Sequence, residues 1–357
     1  MPTKTPPNGF EYRSLSSEDE IRFLYLNPAK SSEPVTARLL HSPLSSAPAF
    51  SALSYAWVLE PDYDDPDEYD AHKLTPCIIS IQDENDEVFN VTVTHNLWLA
   101  LAHLSQFYHG PLWVDQLCVN QSDKYEKSFQ VRRMDLVYTQ AVQTYLWLGP
   151  SNEMRAWGMA QIHWLGEFLH NSGFNGRDNV NFEEAQIFNH YDDPSSLLNG
   201  IYGVIRQKWW ARVWVIQEVL LSRDPILICG NDSVRFNAVV LTLFFLDQLI
   251  TRIDAESRPD LYQTTEAILL RASHFIVLLQ DMLSVDAAEK RLPLWRIQAI
   301  ARTAPGLDAS DERDRYWGML GLVKPEHRKF VQVDYGEGVK MHAVEYNIDW
   351  AIRQAGW

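Results

Sequence analysis

At 357 residues, 46% of them hydrophobic, the chain is long enough to bury one elaborated core or two, which excludes a disordered or fibrous class. A formal charge of -16 at pH 7 excludes a general affinity for nucleic acid or anionic membranes, because both need a basic face that displaces counterions; Lys124, Lys127, Arg132 and Arg133 form the only tight basic cluster. Three cysteines, Cys77, Cys118 and Cys229, lie far apart without C-x-x-C spacing, which excludes a disulfide framework and suits reduced thiols in a cytosolic or nuclear setting.

Residues 1–9 carry no apolar stretch of the kind a secretory leader needs. Ile21 to Leu26 and Val35 to Leu40 read as short strands joined by a Pro/Ser/Lys turn, so residues 1–49 are expected to form an N-terminal extension with a hairpin. The main fold starts with the apolar strand Phe50 to Trp57. Residues 60–70 then carry seven acids; their spacing lacks the glycine and terminal glutamate of a calcium loop and reads as a solvated loop, and 77–93 reads as an added hairpin around Asp83 to Glu87. Thr94 caps a helix that runs to Leu104 with helical apolar period. A second strand is expected at Leu112 to Cys118, a second helix at Glu126 to Ala141 and a third strand at Thr144 to Gly149. Residues 151–208 form a further insertion, helical at first and then loop-rich through Asp192, Asp193 and Pro194. A helix at 209–222 and a strand at 225–229 complete the alternation, and residues 231–357 read as a mainly helical C-terminal region packed on the rest, helical to about 303 and then a turn-rich tail. Its greasiest run, Ala238 to Leu246, is interrupted by Thr242 and stopped by Asp247, too short for a membrane span.

Alternating strands and helices predict an α/β domain over 50–230, with insertions at 58–93 and 151–208 and a mainly parallel sheet flanked by helices. In such sheets ligands gather at the carboxyl ends of the strands. Three stretches lie there: Ser54-Tyr55-Ala56-Trp57, the run from Asp115 through Cys118, Asn120, Gln121 and Asp123 into Glu126, and the helix bearing Glu218. On that helix Ala211, Trp214, Glu218 and Ser222 share one stripe, so a carboxylate sits beside an indole. The plainer alternative is an amphipathic core helix with its glutamate in solvent. Each further residue also carries a plain role. Asp115 is a loop cap or a ligand contact; Asn120, Gln121 and Asp123 are good turn and N-cap residues. Cys118 has no nearby histidine and reads as a small buried thiol. Glu126, Gln130 and Met134 share a helix face suited to packing and capping, and Arg212 is an ion-pair partner or a pyrophosphate ligand. No metal site is expected, since His163 with His170 and His103 with His109 lack zinc-helix spacing; the glycine-rich nucleotide loops are absent too.

Three blocks resemble the fungal heterokaryon-incompatibility (HET) domain family. Ala52-Leu-Ser-Tyr-Ala-Trp57 is similar to A-L-S-Y-x-W-G, with Val58 and the acidic insertion in place of the glycine. Leu112 to Ala141 resembles L-W-I-D-x-L-C-I-N-Q-x-D-x-x-E-K-x-x-Q-V-x-x-M-x-x-I-Y-x-x-A. Trp210, Arg212, Trp214, Gln217 and Glu218 match W-x-R-x-W-x-x-Q-E, and Asp311 to Leu322 with Val333 to Tyr335 resemble weaker flanking features. The family is in turn similar to the TIR fold, some of whose members cleave NAD+ at the nicotinamide glycosidic bond. The resemblance implies a cytoplasmic protein of non-self recognition and programmed cell death. Glu218 is then the catalytic residue, and Ser54, Tyr55, Trp57, Asp115, Cys118, Asn120, Gln121, Asp123, Arg212 and Trp214 shape a site for NAD+, a substrate and not a resident cofactor. It also implies self-association and an upstream incompatibility or NLR-type partner. The alternative is a non-enzymatic death-signalling module that works by assembly, since fold does not imply activity; a third is a member that binds a nucleotide as a signal.

Overall fold

A strand whose side chains are all apolar or small can bury both faces only inside a covered sheet, and Ser51–Tyr55, five buried residues in a row, lies at such a position. The computed structural model describes residues 10–30, 33–57, 77–176, 193–284, 291–303, 306–336 and 338–356; the acidic run at 60–70 lies outside them, as does 177–192 of the second insertion. In chain order the strands are β1 (Glu20–Leu26), β2 (Thr36–Pro43), β3 (Ser51–Tyr55), β4 (Cys77–Gln82), β5 (Val88–Val93), β6 (Pro111–Trp113), β7 (Gln143–Trp147), β8 (Pro225–Cys229) and β9 (Asp232–Arg235). They form one sheet in the order β5-β4-β2-β1-β6-β3-β7-β8-β9.

The four strands read from the alternation, β6, β3, β7 and β8, are mutually parallel neighbours, as expected. The sheet as a whole is mixed and not mainly parallel. β1 runs antiparallel to both β2 and β6, and β5 and β9 are antiparallel edge strands on β4 and β8. The reason is that both hairpins, at 20–43 and 77–93, add their strands to the sheet, β1 beside β6 and β4 parallel to β2. Hairpin partners are antiparallel by construction.

The helices are α1 (His95–Leu104), α2 (Asp115–Cys118), α3 (Lys124–Val131), α4 (Met134–Gln140), α5 (Glu153–Asn171), α6 (Pro194–Ile205), α7 (Val215–Leu220), α8 (Phe236–Ile250), α9 (Pro259–Ser284), α10 (Leu294–Thr303), α11 (Asp314–Trp317), α12 (Pro325–Arg328) and α13 (Met341–Gln354). Thr94 caps α1 by accepting from Leu97 N–H. Five expectations are corrected. The strand predicted at 112–118 ends at Trp113, because the chain turns at Val114 into α2, whose Cys118 N–H donates to Val114 O at 2.8 Å. The helix predicted at 126–141 breaks into α3 and α4 at Arg132–Arg133, where Arg133 leaves helical geometry (φ −113°, ψ 2°). The helix predicted at 209–222 is a 3-10 turn at Lys208–Ala211, an extended Arg212 and then α7; Arg212 leaves the helical path to form a parallel bridge with Asp308. Asp193 and Pro194, read as loop, are the N-cap and first residue of α6, and a last helix, α13, stands where a turn-rich tail was expected.

Of the C-terminal helices, α9 packs against the turn that carries Trp209 and Trp210. Phe275 of α9 lies 6.3 Å from the Trp209 ring and 5.4 Å from Trp210, all three fully buried. α5 and α6 meet at Gly158, where an added Cβ would stand 2.0 Å from Gly200 O. Among the described residues no helix is long and apolar enough to cross a membrane.

Candidate functional site

Ser54 and Tyr55 stand at the carboxyl end of β3, and Asp115 follows β6 by two residues, so both bring polar groups to one edge of the parallel core. α7 delivers Glu218 to the same edge. Its carboxylate is 2% exposed. The Ser54 hydroxyl donates to Glu218 Oε2 in a short hydrogen bond, and Arg212 Nη1 lies 3.5 Å from the same oxygen. Tyr138 of α4 interacts electrostatically with this carboxylate. Trp209 Nε1–H donates to Ser54 Oγ at 2.8 Å, so the serine is held by an indole while it holds the glutamate.

Asp115 forms the outer half. Its Oδ1 accepts from the Gln116 N–H at 2.7 Å, its Oδ2 from Trp57 Nε1–H at 2.9 Å, and Tyr55 O–H pairs with Gln116 Oε1 at 3.0 Å. Trp57 is 37% exposed and roofs the cluster. Asn96 of α1 fixes the end of β3: its Nδ2 donates to Ala56 O at 2.7 Å and its Oδ1 accepts from Trp147 Nε1–H at 2.8 Å.

Electrostatically the centre is one guanidinium facing two carboxylates. Burial pushes the Glu218 carboxyl above the usual carboxylate range, and Asp115 pushes the same way, against the pull of Arg212 and the Ser54 hydrogen bond. Burial likewise raises Asp115, opposed chiefly by Arg212. Burial and the neighbouring carboxylates drive the Tyr55 and Tyr138 hydroxyls well above their ordinary value, so both stay protonated donors. With both acids ionised the cluster carries a net negative charge and suits a cationic ligand.

The structure thus gathers Ser54, Tyr55, Trp57, Asp115, Arg212 and Glu218. Gln121 serves from behind, its Nε2 donating to Asp115 O at 2.9 Å. Cys118, Asn120 and Asp123 face another way. The Cys118 thiol is buried under β1, where desolvation raises it to about 12, and it accepts from Val114 N–H at 3.4 Å; it is a neutral packing group. Asn120 N–H donates to Glu126 Oε1 at 2.8 Å, and Glu126 is gripped by Arg22, whose Nη2 reaches its Oε2 at 3.0 Å. Asp123 caps α3 by accepting from Tyr125 and Glu126 N–H. The Trp214 indole turns away from Glu218 and donates to Asp314 Oδ2 at 3.2 Å. Trp209, Tyr138, Gln116 and Asn96 were not singled out from sequence. Tyr138 and Trp209 lie within or beside the matched blocks, which is the one signal that pointed to them.

Residues 50–218 match the family model described as Heterokaryon incompatibility protein (HET). Over 389 aligned residues the chain is 26% identical to heterokaryon incompatibility protein 6, OR allele, of Neurospora crassa, a match covering 99% of this chain and 55% of that protein. The chain therefore spans about half the length of this curated relative. No solved structure matches the chain significantly.

Proposed function

We propose that the chain acts in fungal non-self recognition and programmed cell death, and that it does so by cleaving NAD+ at the nicotinamide–ribosyl bond. The HET-domain match and the name of the Neurospora relative support the first part. One observation carries the second: a buried glutamate and a half-buried aspartate share a single guanidinium at the carboxyl edge of a parallel core, under the exposed ring of Trp57. NAD+ presents a pyridinium cation, and its departure as neutral nicotinamide needs no proton, so the protein must stabilise only the developing ribosyl cation. Glu218 faces that charge. Ser54 orients its carboxylate, Arg212 keeps it from the full cost of burial, and Trp57 stacks on the pyridinium ring. Entry requires the Trp57–Asp115 hydrogen bond, which lies at the surface, to open. The parallel β6-β3-β7-β8 core supports a TIR-like reading of the domain.

A second reading has its own support: Glu218 is 2% exposed and already accepts from Ser54 beside Arg212, as a purely structural carboxylate would. Here the chain kills by self-association or through an upstream partner, with no chemistry of its own. Incubation of purified protein with NAD+, read for nicotinamide release, separates the two. A Glu218→Gln protein keeps shape but loses the charge, and its turnover should fall roughly 100-fold or more while it stays folded. Unchanged turnover in Glu218→Gln ends the assignment of Glu218 as the catalytic group. Absence of turnover in wild type at high protein concentration, with toxicity in a fungal host retained by folded Glu218→Gln, favours assembly.

A further inference from the structure

A six-residue helix cannot hold its own position, because nucleation of so short a segment is unfavourable without tertiary support. α7 is such a helix, and it carries Glu218. Its inner side is held by the Ser54 contact already described. Its other side is tied to chain beyond residue 300, past the end of the HET match at Glu218.

The contacts there form a continuous run. Lys208 Nζ pairs with Asp308 Oδ2 at 2.7 Å, and the backbone of Asp308 brackets the approach to α7, its N–H donating to Ala211 O and its C=O accepting from Val213 N–H at 3.1 Å. Trp214 Nε1–H donates to Asp314 Oδ2, and Gln217 Oε1, 1% exposed, accepts from Gly321 N–H at 3.1 Å. Asp314 is itself braced: Tyr335 O–H donates to its other oxygen, and Tyr335 N–H reaches Ser128 Oγ of α3 at 3.2 Å. Five residues before Glu218, namely Lys208, Ala211, Val213, Trp214 and Gln217, are thus tied to 308–321. None of these contacts touches the Ser54–Glu218–Asp115 cluster.

We propose that the segment from Asp308 to Gly321 is a clasp that positions Glu218, with Asp314 acting through Trp214 as its main positioning residue. The inference extends the NAD+-cleavage reading, but its central claim, that the clasp orders α7, is independent of it. Trp214 has no stacking role on substrate in this assignment; it is the anchor of the helix. The residues 50–218 that match the HET model do not by themselves complete the support of their glutamate.

The test uses the full chain, as wild type, Trp214→Phe and Asp314→Asn, with hydrogen–deuterium exchange read by mass spectrometry in the absence of NAD+. Trp214→Phe deletes the indole donor and keeps a large ring; Asp314→Asn keeps shape and removes the charged acceptor. Losing a hydrogen bond to a carboxylate should raise exchange across 213–221 about tenfold, with β7 and α1 as protected as in wild type. Protection over 213–221 equal to wild type in folded variants overturns the clasp. So does loss of protection over the whole chain in both variants, which would make these residues general core elements. Where wild type cleaves NAD+, both variants should lower kcat and leave KM within about twofold, because neither side chain meets substrate; a rise in KM alone overturns the positioning role. Local deprotection with no cleavage by wild type upholds the clasp and rejects the cleavage reading. Cleavage that is lost in Glu218→Gln, with 213–221 unchanged in the clasp variants, does the reverse.

Discussion

Glu218 is the residue on which the site turns, and its surroundings fix how it responds to pH. Burial raises its folded pKa above the ordinary 4.5, so between these two values the folded chain binds a proton that the unfolded chain has lost. Stability then falls as pH rises through 4.5 toward the folded value, and above that the full penalty of the buried charge is present. Glu218→Gln removes the titrating group. Its melting temperature relative to wild type should therefore rise from pH 4 to pH 7, read by calorimetry on both proteins; a constant difference across that range would show that Arg212 and Ser54 compensate the burial completely. The same residue scale explains where the helical stripe misleads. Trp214 and Glu218 are four apart, yet one side chain points to Asp314 and the other to Ser54. The indole that serves the glutamate is Trp209, on the 3-10 turn before the extended Arg212.

At the scale of elements, the pairing of α5 with α6 rests on an absent side chain. Gly158 brings its Cα against Gly200, and a Cβ there would meet the Gly200 carbonyl oxygen at 2.0 Å and the carbon at 2.6 Å. Ala is better than Gly in a helix interior by about 1 kcal/mol. Backbone cannot rotate out of the way, however, so the helices must separate, and overpacking of this kind costs about 1–3 kcal/mol, occasionally more. Gly158→Ala should thus be destabilising, by about 1–2 kcal/mol after the propensity gain. Urea unfolding monitored by circular dichroism measures it; a midpoint at or above wild type would mean that α5 slides along α6 freely. Two helix caps were legible at this scale because they are local. Thr94 before α1 and Asp123 before α3 bond to N–H groups within three residues of themselves.

For the whole molecule, one buried ion pair ties β1 of the first hairpin to α3. Arg22 on β1 is 0% exposed, its two terminal nitrogens grip Glu126 of α3, and it also donates to Cys118 O at 3.1 Å and to His41 Nε2 at 3.0 Å. Removing one partner strands the other charge in the interior, at a cost of about 3–5 kcal/mol, while replacing both with apolar groups is close to neutral. Arg22→Met should lose stability in that range, and Arg22→Met with Glu126→Leu should regain part of it, less the lost bonds to Cys118 and His41. A double-mutant cycle by denaturant unfolding reads the coupling. Additive losses would show that the pair contributes nothing beyond packing. The pair also explains how a segment read as an N-terminal extension has its strand between β2 and β6.

Periodicity and caps in the sequence determined the four parallel strands, both hairpins and the helical stretches of α1, α3–α4 and α5, since each depends on residues within one or two turns of one another. The matched blocks determined the edge at which Ser54, Asp115, Arg212 and Glu218 meet. What the local pattern did not hold was the partner of each group. Ser54 and Glu218 are 164 residues apart, Trp209 and Ser54 155, Trp214 and Asp314 100. The choice of Trp209 over Trp214, the insertion of β1 beside β6 and the support of α7 from beyond residue 300 were decided by tertiary packing. Contacts at such separation form only when many buried surfaces close together, and no local spacing of side chains encodes which of two neighbouring indoles will be turned inward.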